Sequence, residues 1–270
     1  MVNSTGNVTP APPASDEFVQ SLARGLTVIR AFDEHHPKLT LTEVAQRSNL
    51  ARAAARRFLL TLETLGYVRF DGREFELTGL VLELGYAFLS SQPLSQLAIP
   101  ALDSLSSKTG ESSSIAVLDT QDIVYIARMH RRSIMQVNIH VGTRFPAIAT
   151  SMGRVLLANL PDAELEKFIR TCNIPKLTTR TKTDRGQLLK EIRLVREQGW
   201  ELVDQELELG LRSIAVPITN ERGQVVAALN SSMQVQSSDD TDETAKLVKK
   251  LVPLMQATAT SLRHVATPQR

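Results

Sequence analysis

Residues 18–80 carry, in one uninterrupted order, the signals of a helix, a capped second helix, a turn, a third helix and a hairpin. Few folds accept that order. In FVQSLARGLTVIRAF, Leu22, Leu26, Ile29 and Phe32 recur at helical spacing, and His35-His36-Pro37 ends the run because proline disfavours helix at the residue before it. Thr40-Leu41-Thr42-Glu43 forms a capping box, in which the Thr40 hydroxyl accepts a backbone N–H and Glu43 reaches back to the cap. The short helix LTEVAQR follows, and Ser48-Asn49-Leu50 turns the chain. A third helix is predicted over 51–65, stopped by Gly66. The runs 67–70 and 74–77 alternate like strands about Asp71-Gly72, a hairpin-turn pair. The pattern is a helix-turn-helix with a β-wing.

The third helix has two faces. On a wheel of ~100° per residue, Ala54, Ala55, Phe58, Leu62 and Leu65 gather on one side and Arg52, Ala53, Arg56 and Arg57 on the other. The second set lies in the first two turns, where a recognition helix meets base edges and its positive N-terminus lies near phosphates. Arginine grips guanine O6 and N7 with two hydrogen bonds, and alanine touches a thymine methyl. Arg52 and Arg56 are therefore the candidate base readers, and Arg57 a candidate phosphate contact. Thr42, Arg69 and Arg73 complete the candidate DNA-binding set, the two arginines on or beside the wing. A solvated arginine face is the bland alternative, and the ordered neighbouring signals decide against it. Residues 18–80 hold nine Lys or Arg against seven Asp or Glu, so one copy should hold DNA weakly. Paired copies on double-stranded operator half-sites are the expected remedy.

The rest of the 270-residue chain fits one further domain. The expected organisation is a disordered arm over 1–17, the winged unit over 18–79, a linker helix over 80–92 and a second domain over 93–267. The Pro-, Ser-, Thr- and Asn-rich arm has neither the basic start nor the apolar run of a signal peptide, and no apolar stretch of about 18 residues predicts a membrane helix. The single cysteine, Cys172, fits a reducing cytoplasm and reads as a small buried hydrophobe. In the second domain a helix is expected from 94 to 109. Strands follow at 113–118, 123–128 and 136–139, helices near 150–158, 162–171 and 185–197, strands at 200–204, 213–219 and 225–231, and a last helix from about 240 to 264. Helices flanking a largely antiparallel sheet make the fold class α+β.

No catalytic or metal pattern occurs: there is no Gly-x-Ser-x-Gly, P-loop, HExxH or CxxC, and the five histidines lack ligand spacing. An enzyme is not expected, nor a cofactor or metal. Polar residues on apolar segments stand out instead. Thr150-Ser151-Met152-Gly153 opens a helix whose N-terminus can hold a carboxylate. Ser213 begins the strand SIAVPI, and Asn230 and Ser232 end VVAALNSS. Buried polar groups need partners, and a polar ligand is one.

LARGLTVIRAF, LTLTEVAQRSNLARAAARRFLLTLETLGYV, ATSMGRVLLA and GWELVDQELELGLRSIAVPITNERGQVVAALNSS resemble the IclR family of bacterial transcription regulators over about residues 18–265. DEFVQSLARGL, RAAARR and AALNSS are similar to its subgroup regulating protocatechuate and the β-ketoadipate pathway. The resemblance implies a GAF-like effector domain taking a small carboxylate, and dimers or tetramers joined through the DNA-binding halves. It points to Ser151, Met152, Gly153, Ser213, Asn230 and Ser232 as the effector pocket, with Asp204 nearby. Arg144 is added as a carboxylate partner. The family usually has a Ser or Thr cap where Ala51 stands, which leaves the capping role to Asn49. It has Asp or Ser where Val203 stands, often Cys at Ser213, and an aromatic or His at Thr219.

Overall fold

A computed structural model describes residues 17–131, 139–235 and 241–266 of the chain. The chain divides into two compact units between Phe88 and Leu89. The arm over 1–16, positions 136–138 of an expected strand, and residues 240 and 267 lie outside the described residues. Ile139 is buried but belongs to no strand.

The N-terminal unit runs α1 (Gln20–Ile29), β1 (Lys38–Leu39), α2 (Leu41–Arg47), α3 (Arg52–Thr64), β2 (Val68–Phe70), β3 (Phe75–Leu77) and most of α4 (Val81–Ser90). Its three strands pair antiparallel in the order β1-β3-β2. The capping box forms as expected, with Glu43 N–H donating to Thr40 Oγ1 and Thr40 N–H to Glu43 Oε2. Val28, Phe32, Leu39, Val44, Leu59, Leu62, Val68 and Phe75 make the core. Leu59 is fully buried, and truncating such a residue to alanine costs about 2–5 kcal/mol.

Three local expectations are corrected. The first helix ends at Ile29, well before Pro37, because residues 30–36 turn under Arg47, whose guanidinium bonds Ala31 O and Asp33. Asn49 does not cap α3; it takes φ +53 in the turn, and Ala51 occupies the cap without a side-chain bond. Leu65 faces solvent rather than the core.

The C-terminal unit contains α5 (Leu94–Leu97), α6 (Ile99–Thr109), β4 (Ser112–Asp119), β5 (Asp122–Met129), β6 (Arg144–Pro146), a 3-10 turn (Ala147–Ala149), α7 (Ser151–Ala158), α8 (Asp162–Thr171), α9 (Arg185–Gln198), β7 (Glu201–Asp204), β8 (Leu211–Thr219), β9 (Val225–Gln234) and α10 (Thr241–Ser261). Ala98 separates two pieces of the helix expected over 94–109. The sheet is wholly antiparallel, ordered β6-β5-β4-β9-β8-β7. Alternation along each strand feeds two cores. Ile214, Val216, Ala227 and Leu229 pack under α6 and α10, while Ala215 and Ala228 face α7 and its neighbours. This is the GAF-like sandwich, a sheet with helices on both faces.

All eight residues of α7 are buried. The helix sits so close to the 3-10 turn that a Cβ on Gly153 would lie 2.0 Å from Ala147 O. Glycine is required there for contact, not for backbone freedom.

Candidate functional site

Two regions gather the sequence-predicted site residues. The first is the outer face of α3. Arg52, Ala53, Arg56 and Arg57 are all exposed, while Ala55 and Leu59 hold the opposite face in the core. None of the three arginines makes an ion pair among the described residues, so their charge is available to a polyanion. Ala51 offers no side-chain acceptor, which leaves the first N–H groups of α3 open to a phosphate. Thr42, near the start of α2, is exposed as well.

The wing is held by Asp71, whose Oδ1 accepts from Arg73 N–H at 3.0 Å and Glu74 N–H at 2.8 Å, with Gly72 at φ +101 between. These backbone hydrogen bonds hold the Asp71 carboxyl below its usual range. Arg73 is exposed at the tip without an ion pair among the described residues. Arg69 is different: its Nε donates to Glu76 Oε1 at 2.5 Å. As a DNA contact it must first give up a carboxylate, and in the free chain its charge belongs to the hairpin. Lys38, 3.5 Å from Glu76 and 3.6 Å from Asp71, is spent in the same way.

The second region is a small cavity in the C-terminal unit, between the sheet and the start of α7. Its polar wall is Thr150, Ser151, Ser213, Asn230 and Ser232, and its apolar wall includes Tyr125, Met152, Val203, Leu207 and Leu211. The Thr150 hydroxyl caps α7 by accepting from Gly153 N–H at 3.0 Å. The N–H groups of Ser151 and Met152 have no acceptor among the described residues, so the positive end of the helix opens on the cavity. Ser151 Oγ and Ser213 Oγ lie 2.6 Å apart, and Asn230 Nδ2 donates to Ser213 Oγ at 3.2 Å. Asn230 is 3% exposed, and its Oδ1 has no partner among the described residues. An orphaned buried acceptor of this kind costs free energy until something donates to it. The cavity volume is about 20 Å³, room for a water molecule. A ring- or chain-sized ligand must therefore push wall side chains aside.

Ser151, Met152, Ser213, Asn230 and Ser232 converge on this cavity. Gly153 does not line it but sets the seat of α7. Arg144 is a correction: on β6 its guanidinium is taken by Asp119 at 2.5 Å and Asp122 at 3.2 Å, and it does not line the cavity. Asp204 is another. It receives both Nε and Nη2 of Arg212 at 3.0 Å and borders a groove with Trp200 and Val248.

Sequence reasoning passed over the fully buried Arg154. Its Nε donates to Ile148 O at 2.9 Å, Nη2 to Glu206 Oε2 at 2.7 Å, and Nη1 to Glu206 Oε1 at 2.9 Å and Glu201 Oε1 at 3.1 Å. Burial pulls the guanidinium pKa down, but Glu206 and Glu201 outweigh it and the net direction is up. The bidentate pair ties α7 to loop 205–210, which places Leu207 on the cavity wall. The one clue was an arginine inside the otherwise apolar SMGRVLLA. Tyr125, whose phenol burial pushes up to about 12, was also missed. Nothing in its strand marks it as a cavity residue before the fold is known.

The chain matches two family models: the IclR helix-turn-helix domain over residues 21–72 and the bacterial transcriptional regulator IclR C-terminal domain over residues 86–262. It is 41% identical to the Pca regulon regulatory protein of Pseudomonas putida, over 98% of this chain and 97% of that one. It is 36% identical to the p-hydroxybenzoate hydroxylase transcriptional activator of Acinetobacter baylyi, over 93% of each. Among solved structures, a transcriptional regulator from Rhodococcus sp. RHA1 is similar with a TM-score of 0.77 and 50% identity, covering 92% of this chain and 98% of that one. The inducer-binding domain of the Acinetobacter PobR transcription factor, a double mutant complexed with 3-hydroxybenzoic acid, is similar with a TM-score of 0.56 and 35% identity. That alignment covers 64% of this chain and 98% of that domain.

Proposed function

The chain belongs to the IclR family of bacterial transcription regulators, and on that premise we propose that it controls genes of aromatic-acid catabolism by binding an aromatic or dicarboxylic acid of the protocatechuate/β-ketoadipate route. It is a DNA-binding regulator rather than an enzyme. Copies of the chain pair, as dimers or tetramers in the cytoplasm, on an inverted-repeat operator. Arg52 and Arg56 read bases, Ala53 packs on a base edge, and Arg57, Thr42 and the wing's Arg73 hold the backbone. The small net charge of the winged unit supports pairing, because one copy neutralises few phosphates.

The observation that carries the effector reading is the cavity itself. It combines free helix-start amides, a Ser151–Ser213–Asn230 chain and an orphaned acceptor in one small cavity. A carboxylate at the α7 start meets both N–H groups and the helix dipole. Its seat adjoins loop 205–210, so filling the cavity displaces Leu207 and loads the Arg154–Glu206 tie. The relatives' names support the pathway: one regulates a Pca regulon and another activates p-hydroxybenzoate hydroxylase.

Thermal unfolding against protocatechuate, 4-hydroxybenzoate, cis,cis-muconate and β-ketoadipate tests this. A ligand at about 100 times its Kd adds ~2.7 kcal/mol, which raises the midpoint by several degrees at roughly 2–4 °C per kcal/mol. One acid is expected to give that shift, and a Ser151→Ala, Asn230→Ala variant is expected to lose it. Flat curves for all four acids would remove the pathway assignment and leave the DNA-binding role standing.

A further inference from the structure

Three carboxylates converge on one guanidinium nitrogen beside β7. Nη1 of the fully buried Arg154 donates to Glu206 Oε1 at 2.9 Å and to Glu201 Oε1 at 3.1 Å, and Glu191 Oε2 stands 3.7 Å from it. The three come from separate places: Glu201 from β7, Glu206 from loop 205–210 and Glu191 from α9. Two cations face them among the described residues, Arg154 from α7 and Lys182 from the stretch before α9. With every group ionised, the cluster holds one negative charge more than it can pair.

The hydrogen bonds decide which carboxyl is short of partners. Glu191 takes Lys182 Nζ on both oxygens, at 2.9 and 2.8 Å, and Gln187 Nε2 at 3.0 Å. Glu206 takes Arg154 Nη1, Arg154 Nη2 at 2.7 Å and the Lys182 backbone N–H at 2.9 Å. Among the described residues the Glu201 carboxyl accepts a single bond, 3.1 Å long, from a nitrogen that also serves Glu206. It is buried, and its cross-strand neighbour on β8 is the uncharged Ala215. Burial and neighbouring like charge both favour a neutral carboxyl. Burial pushes the Glu201 carboxyl up, Arg154 and Lys182 oppose the rise, and Glu191 adds to it.

We propose that Glu201 is a proton-operated catch on loop 205–210. Protonated, it leaves Arg154 to Glu206 and the loop is held; ionised, it sets a third carboxylate against that tie and the loop is loosened. The catch reaches the cavity by two short routes. Val203 lies two residues along β7 on the same face as Glu201, Leu207 follows Glu206, and both line the cavity. The sign follows from the raised carboxyl: what this group adds to stability is full at acid pH and is lost as pH rises through its folded value. The catch needs no bound acid and stands apart from the effector reading.

Hydrogen exchange and thermal unfolding of the full-length protein across about pH 5–8 test it, with exchange corrected for its intrinsic pH dependence. In wild type the amides of Gln205, Gly210 and Leu211, which close the loop, are expected to lose protection as pH rises, and the unfolding midpoint to fall. Glu201→Gln copies the protonated carboxyl. It is expected to keep that protection at about pH 8 and to melt several degrees above wild type there, but level with it at about pH 5. Glu206→Gln, which weakens the tie itself, is expected to lose protection at both ends of the range. A Glu201→Gln protein that tracks wild type at every pH, melts below it at about pH 8 or fails to fold overturns the catch. Loop protection that pH leaves unchanged in wild type overturns it as well.

Discussion

Arg56 projects from the second turn of α3 with no ion pair among the described residues, and on the proposed reading its worth is set by what DNA offers. Arg56→Ala is expected to cost ~1–3 kcal/mol of specific binding in a titration of operator DNA against scrambled DNA. Equal affinity of variant and wild type for the operator would show that α3 is not the reading helix. Arg154 is the opposite case, with every partner inside the protein. Arg154→Met leaves Glu206 and Glu201 buried without the guanidinium that bonds both, and breaking a buried pair in this way costs about 3–5 kcal/mol. The pH dependence has a definite sign. Burial already raises the Glu201 carboxyl, with Arg154 opposing it. Without Arg154 the folded pKa rises further above its unfolded value, so the neutral carboxyl is favoured and ionisation destabilises. The stability deficit of Arg154→Met should be smallest at acid pH and grow as pH rises through that folded pKa. A deficit independent of pH between 4 and 8, read by thermal unfolding, would mean that lost packing rather than charge is responsible.

At the scale of the element, what the sequence makes legible is what is local. The capping box at Thr40 and Glu43, the Asp71-Gly72 turn and the apolar period of α3 as far as Leu62 are each written within a few residues, and each forms. The buried start of α7 is legible for the same reason, since small and polar residues open an apolar helix. What closes across the chain is not. Arg144 stands seven residues before α7, but no spacing announces that Asp119 at the end of β4 and Asp122 at the start of β5 will take its guanidinium. Asp204 faces Arg212 because β7 and β8 pair in that register, and one residue of slip would have pointed it at the cavity. Short elements escape as well: β1 and β6 have two and three residues, too few for a period. Gly153 gives this scale its test. A Cβ there meets Ala147 O, Cα and C within 2.5 Å. Backbone cannot yield as a side chain tip does, so Gly153→Ala should cost ~1–3 kcal/mol or more and disturb the α7 amides. A midpoint of unfolding within 1 °C of wild type would show that α7 tolerates lifting off the turn.

For the whole molecule the question is how an acid in one unit alters DNA binding by the other. A ligand shifts an equilibrium only through unequal affinity for its two states. On the proposed reading the narrow cavity is the source of that inequality, because an acid filling it would move Leu207, on a loop anchored through Glu206 to the fully buried Arg154. The coupling is reciprocal: if the acid changes DNA affinity, DNA changes acid affinity by the same factor. The most direct test is therefore a titration of fluorescent operator-bearing promoter DNA with the full chain, with and without saturating acid from the stabilising set. The account predicts that the acid changes DNA affinity by a factor of roughly 5–150, and that the effect disappears in the Ser151→Ala, Asn230→Ala variant. An acid that stabilises the protein yet leaves operator affinity unchanged in both would contradict it.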